Sequence, residues 1–305
     1  FQRSEKMTNI ELAVENLRNR FSKIIALDEE KRNAFLTAML IITQENKNRF
    51  GTEYPDWGKM SIKEKTYHGW LLNMILPIES GINGRWPYWL DIMETLEVEG
   101  KDIPQIRIYK PYEKEFKLVS KMLKECLNPP LDKELGLRLV YLFVDWLLYG
   151  LGCSTVKELP LEITDELNQY WYEKFMGDLM VMFPGDYFVP IITQLYQGFN
   201  ANAFYRTSGG VVQATADIQT FDIDKELLKY TKVYDPTMGS GTILLYMSNK
   251  SLRLYSQDKD ELMVKLTYIN GYFYIPWLVC KTKEVDKLLN EMYEKYSNNR
   301  NKERA

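Results

Sequence analysis

The chain has 305 residues, enough for one large domain or two smaller ones with a sizeable buried core. Its 39 basic and 42 acidic side chains leave a net charge of −3, which excludes a protein that coats nucleic acid by bulk charge and leaves only a local basic face open. A histidine-rich metal site is excluded by the single histidine, His68. The three distant cysteines, Cys126, Cys153 and Cys280, show neither zinc spacing nor a disulfide framework, so no metal and a reducing, cytoplasmic compartment are expected.

Residues 1–6 read as the remnant of an expression tag, with the native chain starting at Met7. Residues 8–50 show helical periodicity through Ile10, Val14, Leu17, Phe21 and Ile24, with a second run from Phe35 to Ile42. Residues 51–105 are rich in Gly, Pro and Trp and read as short helices and loops, with turn signals at Asn83-Gly84 and Val98–Lys101. His68 lies in this stretch, beside Tyr67 and Trp70, and reads as a packed or solvent-facing side chain. Over 110–127, Phe116, Val119, Leu123 and Cys126 form one helical stripe, and Lys110, Lys114, Lys117, Lys121 and Lys124 form another. Such a basic face either lies along phosphates or is simply solvated. Asn128-Pro129-Pro130 stops the helix. Helices follow at 133–151, 163–182 and 187–199, the second capped by Thr164. The most apolar run, Leu139 to Leu151, contains Asp145 and is too short to span a bilayer, so no membrane association is expected. Residues 7–200 therefore form a mainly helical domain.

The pattern changes after Asn200. A helix at 209–219 precedes a short strand at 232–235, a glycine turn at 238–242, a helix from 243, a second strand at 252–257 and a helix at 260–269. This order is that of the opening half of a nucleotide-type α/β sheet. Residues 201–280 thus read as a partial Rossmann-like α/β domain, and 281–305 as a charged helix and tail.

One constellation carries chemical information. Asp235 ends the first strand, Gly239 and Gly241 follow, and Asp258 ends the second strand. Glycines let a backbone turn sharply and approach a ligand, the helix beyond them offers free N–H groups, and an acid at the second strand end accepts hydrogen bonds from a ribose hydroxyl pair. A carboxylate before the glycines disfavours a phosphate ligand and suits an amine-bearing or cationic one. S-adenosylmethionine has both features and no phosphate.

The segment Val233-Tyr-Asp-Pro-Thr-Met-Gly-Ser-Gly-Thr-Ile-Leu-Leu245 resembles motif I of the N6-adenine DNA methyltransferases, as found in type I restriction modification subunits and in phage or mobile-element methylases. Leu254–Asp260 is similar to their motif II, Asn270–Trp277 to the segment that follows, and Asn202-Ala-Phe-Tyr-Arg-Thr207 to motif X. Asp145–Tyr149 and Asp186-Tyr-Phe188 also look like the phage members. The resemblance implies a partial methyltransferase fold binding S-adenosylmethionine. Phe204 and Thr207 would border the methionine moiety, Asp235, Pro236, Gly239 and Gly241 would hold its amino-acid end, and Asp258 the ribose. It implies double-stranded DNA as substrate, with Lys114, Lys117 and Lys121 as candidate phosphate contacts.

The sequence departs from this pattern twice. The proline of motif X is replaced by Ser208, and no Asn/Asp-Pro-Pro-Tyr/Phe tetrad follows Asp258. That tetrad orients the target amine and stacks on a base flipped from the duplex. Asn128-Pro129-Pro130 is the only Asn-Pro-Pro; it precedes motif I and reads either as a helix stop or as a permuted active site. Three readings follow: a methyltransferase-like protein with weak or no activity as an isolated chain, a non-catalytic relative acting as a DNA- or protein-binding factor such as an anti-restriction or regulatory protein, or one subunit of a split enzyme whose partner subunit supplies the tetrad.

Overall fold

A computed structural model describes residues 60–131, 133–178, 183–196 and 209–303. The periodic segment at 8–50 and the motif X residues Phe204 and Thr207 lie outside them. The described residues are mostly helical, with one two-stranded parallel sheet.

The first helices are α1 (Ile62–Lys65), α2 (Trp70–Ile82) and α3 (Arg85–Thr95). Ser61 caps α1 in a reciprocal box with Glu64. The two longer helices exceed the short pieces expected from sequence. Gly69 and Gly84 begin them at φ 87° and 68°, where a side chain would be strained, so the glycines read as breakers mark helix starts. Next come α4 (Lys114–Leu127), a 3-10 turn at Lys133–Leu135, α5 (Arg138–Gly150), α6 (Asp165–Asp178) and α7 (Phe188–Leu195). As its periodicity requires, α4 buries Phe116, Val119, Leu123 and Cys126 and leaves Lys114, Lys117 and Lys121 exposed. Thr164 caps α6 through its hydroxyl, which accepts from the Leu167 N–H at 3.2 Å. The helices close on an aromatic core in which Trp146 lies 5.5 Å from Trp70, 5.7 Å from Trp171 and 5.9 Å from Phe175.

The α/β part contains α8 (Gly209–Thr220), α9 (Lys225–Tyr230), β1 (Lys232–Asp235), α10 (Thr242–Met247), β2 (Arg253–Ser256), α11 (Glu261–Tyr274), α12 (Pro276–Val279) and α13 (Lys283–Glu303). The strands pair in parallel, Asp235 opposite Ser256, with α10 as the crossover. A two-stranded sheet is marginal alone. Here α10 and α12 pack on it, and Arg253 fastens β2 to the end of α9 and to α13 by donating to the Tyr230 carbonyl at 3.0 Å and to Asn290.

The helical and α/β parts share one apolar core. Helix α11 packs on α5 and α2, and Phe273 stacks on Phe175. The principal polar tie is Arg85, which is fully buried. Its guanidinium donates to the Pro104 carbonyl, to Ser248 Oγ and the Tyr274 carbonyl at 2.7 and 2.8 Å, and to Asn249 Oδ1. It also lies 4.9 Å from the Trp277 ring. Burial lowers its pKa and the nearby Glu79 carboxylate opposes the shift. Glu79 in turn accepts the backbone N–H groups of Arg85 and Trp86, which fixes the start of α3. At the other end of α11, Lys265 pairs with Asp145 of α5 at 2.9 Å. Among the described residues no helix is long and apolar enough to cross a membrane.

Candidate functional site

The chain leaves β1 at Asp235, turns through Pro236–Gly241 and enters α10. The turn is locked onto β2: the Gln257 N–H donates to the Asp235 carbonyl at 3.0 Å, and the Met238 N–H to the Gln257 carbonyl at 3.2 Å. Gly239 and Gly241 adopt φ 54° and 83°. Among the described residues a Cβ on Gly239 would meet nothing within 4 Å, so they leave its outer side open. A Cβ on Gly241 would lie 3.0 Å from Thr267 Oγ1, because α11 presses directly against the turn. The two glycines therefore differ in purpose. Gly241 permits packing inside the protein, and Gly239 leaves space beyond it.

Three side chains that the sequence reading did not assign hold the loop. Thr267 donates to the Gly239 carbonyl at 3.1 Å, and Asn270, one helical turn later, donates to the Ser240 carbonyl at 2.8 Å. Two small polar residues on the buried face of α11 were the available signal. From the helical part, Asp186 accepts the Ser240 hydroxyl at 2.9 Å. Asp186 stands where it does because the Tyr109 N–H donates to the Pro184 carbonyl at 2.8 Å and Tyr187 donates to the Phe183 carbonyl at 2.6 Å. Gly185 leaves room for the Tyr187 ring, which a Cβ there would meet at 2.8 Å.

Asp235 is buried, at 8% exposure. Its Oδ1 accepts the Thr237 N–H at 3.0 Å, whereas Oδ2 is buried with no hydrogen-bond partner among the described residues. Burial raises its pKa above the ordinary carboxylate value, the Thr237 N–H pulls it back, and the neighbouring Asp258 charge raises it further. Two carboxylates thus face one region, the deeper one half satisfied. Such an arrangement favours a cationic donor, which would supply the missing bond and relieve the repulsion.

Asp258 is half-buried just past β2. Its Oδ2 accepts the Gly239 N–H at 2.9 Å and Oδ1 the Asp260 N–H at 3.0 Å. Each oxygen keeps one further acceptor position, so it can still receive hydroxyl donors. Asp260 caps α11 through the Met263 N–H at 3.1 Å. Pro236 is exposed on the turn. Helix α10 spans six residues and begins at Gly241, which gives it no side-chain cap.

Elsewhere, Asn128 is the exposed cap of α4 and Pro129 is buried after it. Together with Lys117 and Lys121 it lines a separate groove against α7, and among the described residues none from 235–258 contributes to that groove. His68 is exposed, with Nε2 3.3 Å from the Cys153 carbonyl and its ring edge-on to Tyr149. Cys126 and Cys153 are buried and Cys280 is half-buried.

No protein-family model, curated protein or solved structure matches the chain. The functional reading therefore rests on the site itself and on the motif resemblance.

Proposed function

We propose that the Asp235–Asp258 loop binds S-adenosylmethionine and that the chain is a DNA adenine-N6 methyltransferase-like protein on a partial Rossmann-like domain. The single observation that carries this reading is the buried Oδ2 of Asp235, which has no hydrogen-bond partner among the described residues, beside the side of Gly239 that they leave open. That pair fits the amino end of such a cofactor: the carboxylate takes an ammonium, and the absent side chain lets the ligand lie against the backbone. Asp258 fits the ribose with the acceptor capacity left on its two oxygens.

The cofactor supplies an already activated methyl group, so the chain has to orient and desolvate rather than abstract a proton with a strong base. Asp235 holds the charged end, and Gly239 fixes how closely the ligand approaches. Thr267, Asn270 and Asp186 keep the loop in the geometry both require.

A second reading is a relative that binds cofactor, DNA or a protein partner without transferring methyl groups; residues 259–305 hold no Asn/Asp-Pro-Pro-aromatic tetrad. Titration calorimetry with S-adenosylmethionine and its demethylated product tests the first step. Micromolar binding, roughly −8 kcal/mol, is expected. No heat and no thermal shift at millimolar cofactor would overturn it. A labelled-methyl assay on unmethylated DNA, with and without candidate partner subunits, then separates the active, inactive and split readings.

A further inference from the structure

A second site lies on the helical part. Helices α4 and α7 enclose a groove of about 680 Å³ floored by Phe116, Pro190, Ile191 and Leu195. Lys117, Lys121 and Lys124 line one wall, and Lys114 continues the row one turn earlier. Among the described residues none of these four lysines takes part in an ion pair, although ion pairs are frequent elsewhere on the surface. The one acid in the wall, Glu125, is already paired with Lys174 at 2.6 Å. Ser120 Oγ, which also lines the groove, has no hydrogen-bond partner among the described residues. An unneutralised row of cations thus borders a recess with an unsatisfied polar group, on a chain whose net charge is −3.

From this we infer that the α4–α7 groove seats one strand of duplex DNA. From Lys114 to Lys124 the helix rises about 15 Å at 1.5 Å per residue, over which one strand of B-form DNA presents about four phosphates. The spacing is regular, so a continuous line of charge matches it better than the scattered carboxylates of an acidic peptide. The groove shares none of its described residues with the Asp235 site, so the inference stands apart from the cofactor reading.

The test is fluorescence anisotropy of the full chain with a labelled duplex of about two helical turns and no cofactor. Affinity should fall about 10²-fold between roughly 50 and 200 mM salt, the slope expected for about four neutralised phosphates. The triple variant Lys117→Gln, Lys121→Gln, Lys124→Gln should flatten that slope by about three and weaken binding at low salt by tenfold or more. Replacing Lys283 and Lys287, exposed on α13, by Gln should leave both unchanged. The groove is ruled out as the DNA seat by absence of binding at low salt, by equal loss in both variants, or by displacement of the duplex by an equimolar acidic peptide. Because calorimetry with cofactor alone tests the other site, failure of one reading is distinguishable from failure of the other.

Discussion

Asp186 and Ser240 are joined by a buried hydrogen bond of 2.9 Å that runs from the helical part of the chain to the middle of the glycine loop. The loop is therefore shaped from two sides, by Asp186 and by Thr267 and Asn270 of α11. Removing the carboxylate in Asp186→Ala leaves Ser240 without its acceptor and should weaken cofactor binding about tenfold. A double-mutant cycle with Ser240→Ala should return a coupling of about 1 kcal/mol, the worth of a hydrogen bond to a charged group less its desolvation. Additive effects would mean that the contact does not set the loop geometry.

Asp235 should trade stability for binding. Its folded pKa lies above the unfolded value. Its contribution therefore favours folding at pH below the ordinary Asp range and is lost as pH rises through the raised value. At neutral pH the ionised side chain opposes the empty fold. Asp235→Asn keeps an oxygen for the Thr237 N–H and removes the charge, so it should raise stability at pH 7 by about 1 kcal/mol, with the gain vanishing in acid. The same variant should lose S-adenosylmethionine binding. In the unaltered protein, cofactor affinity should start to fall at a higher pH than an ordinary carboxylate would give. Thermal melts and calorimetry across pH check both halves.

The two loop glycines should respond differently to alanine. Gly239→Ala meets open space and costs only the left-handed backbone penalty, about 1–2 kcal/mol, so it should fold while blocking the ligand. Gly241→Ala adds an overlap with Thr267 and should cost about 2–4 kcal/mol. Thr267→Ala should recover part of that loss in the Gly241 variant and none in the Gly239 variant. Urea titrations of the four proteins decide it.

Arg85→Met should destabilise the protein by about 3–5 kcal/mol, because it takes their guanidinium donor from the Pro104 and Tyr274 carbonyls and Ser248 Oγ and leaves Asn249 Oδ1 with the Ile106 N–H alone. Arg85→Lys should recover little, since one ammonium cannot reach acceptors spread around a planar fork. Loss of less than 1 kcal/mol in denaturant would show that water replaces those bonds.

Methyl transfer by the 305 residues alone should be very slow or undetectable even where cofactor binds. Losing one preorganised contact to a reacting group costs about 10²- to 10³-fold, and here the whole tetrad after Asp258 is missing. If the pure chain methylates adenine readily and Asn128→Ala abolishes it, the permuted arrangement is the better reading.

Much of the α/β part was legible because its signals are local. Lys232–Asp235 and Arg253–Ser256 form strands close to where the residues suggested, and both glycines have positive φ. The stripe of α4 was legible for the same reason: one face is apolar and the other is charged. By contrast, α2 lacks a polar face and was read as irregular. Short α9 was missed although Asp224 caps it through the N–H groups of Glu226 and Leu227. The contacts of Asp186, Thr267 and Asn270 with the loop were not legible, since a polar residue's partner across the fold leaves no trace in its neighbours along the chain. The unpaired state of the lysines was equally hidden, because it depends on which acids the fold brings near.

Arg85 also bears on how the protein is made. Its acceptors Ser248 and the Tyr274 carbonyl lie 163 and 189 residues further along the chain. At a synthesis rate of about 5–20 residues per second, the guanidinium waits roughly 8–40 s for them. During that interval the face carrying Arg85, Trp86 and Trp89 has the Pro104 carbonyl but neither the acceptors of residues 248–274 nor the ring of Trp277. Contacts this distant in sequence also slow folding once the chain is complete. The nascent helical part is accordingly the stage most exposed to aggregation and to capture by chaperones, and the glycine loop gains its last two side-chain ties only once Thr267 and Asn270 have been made.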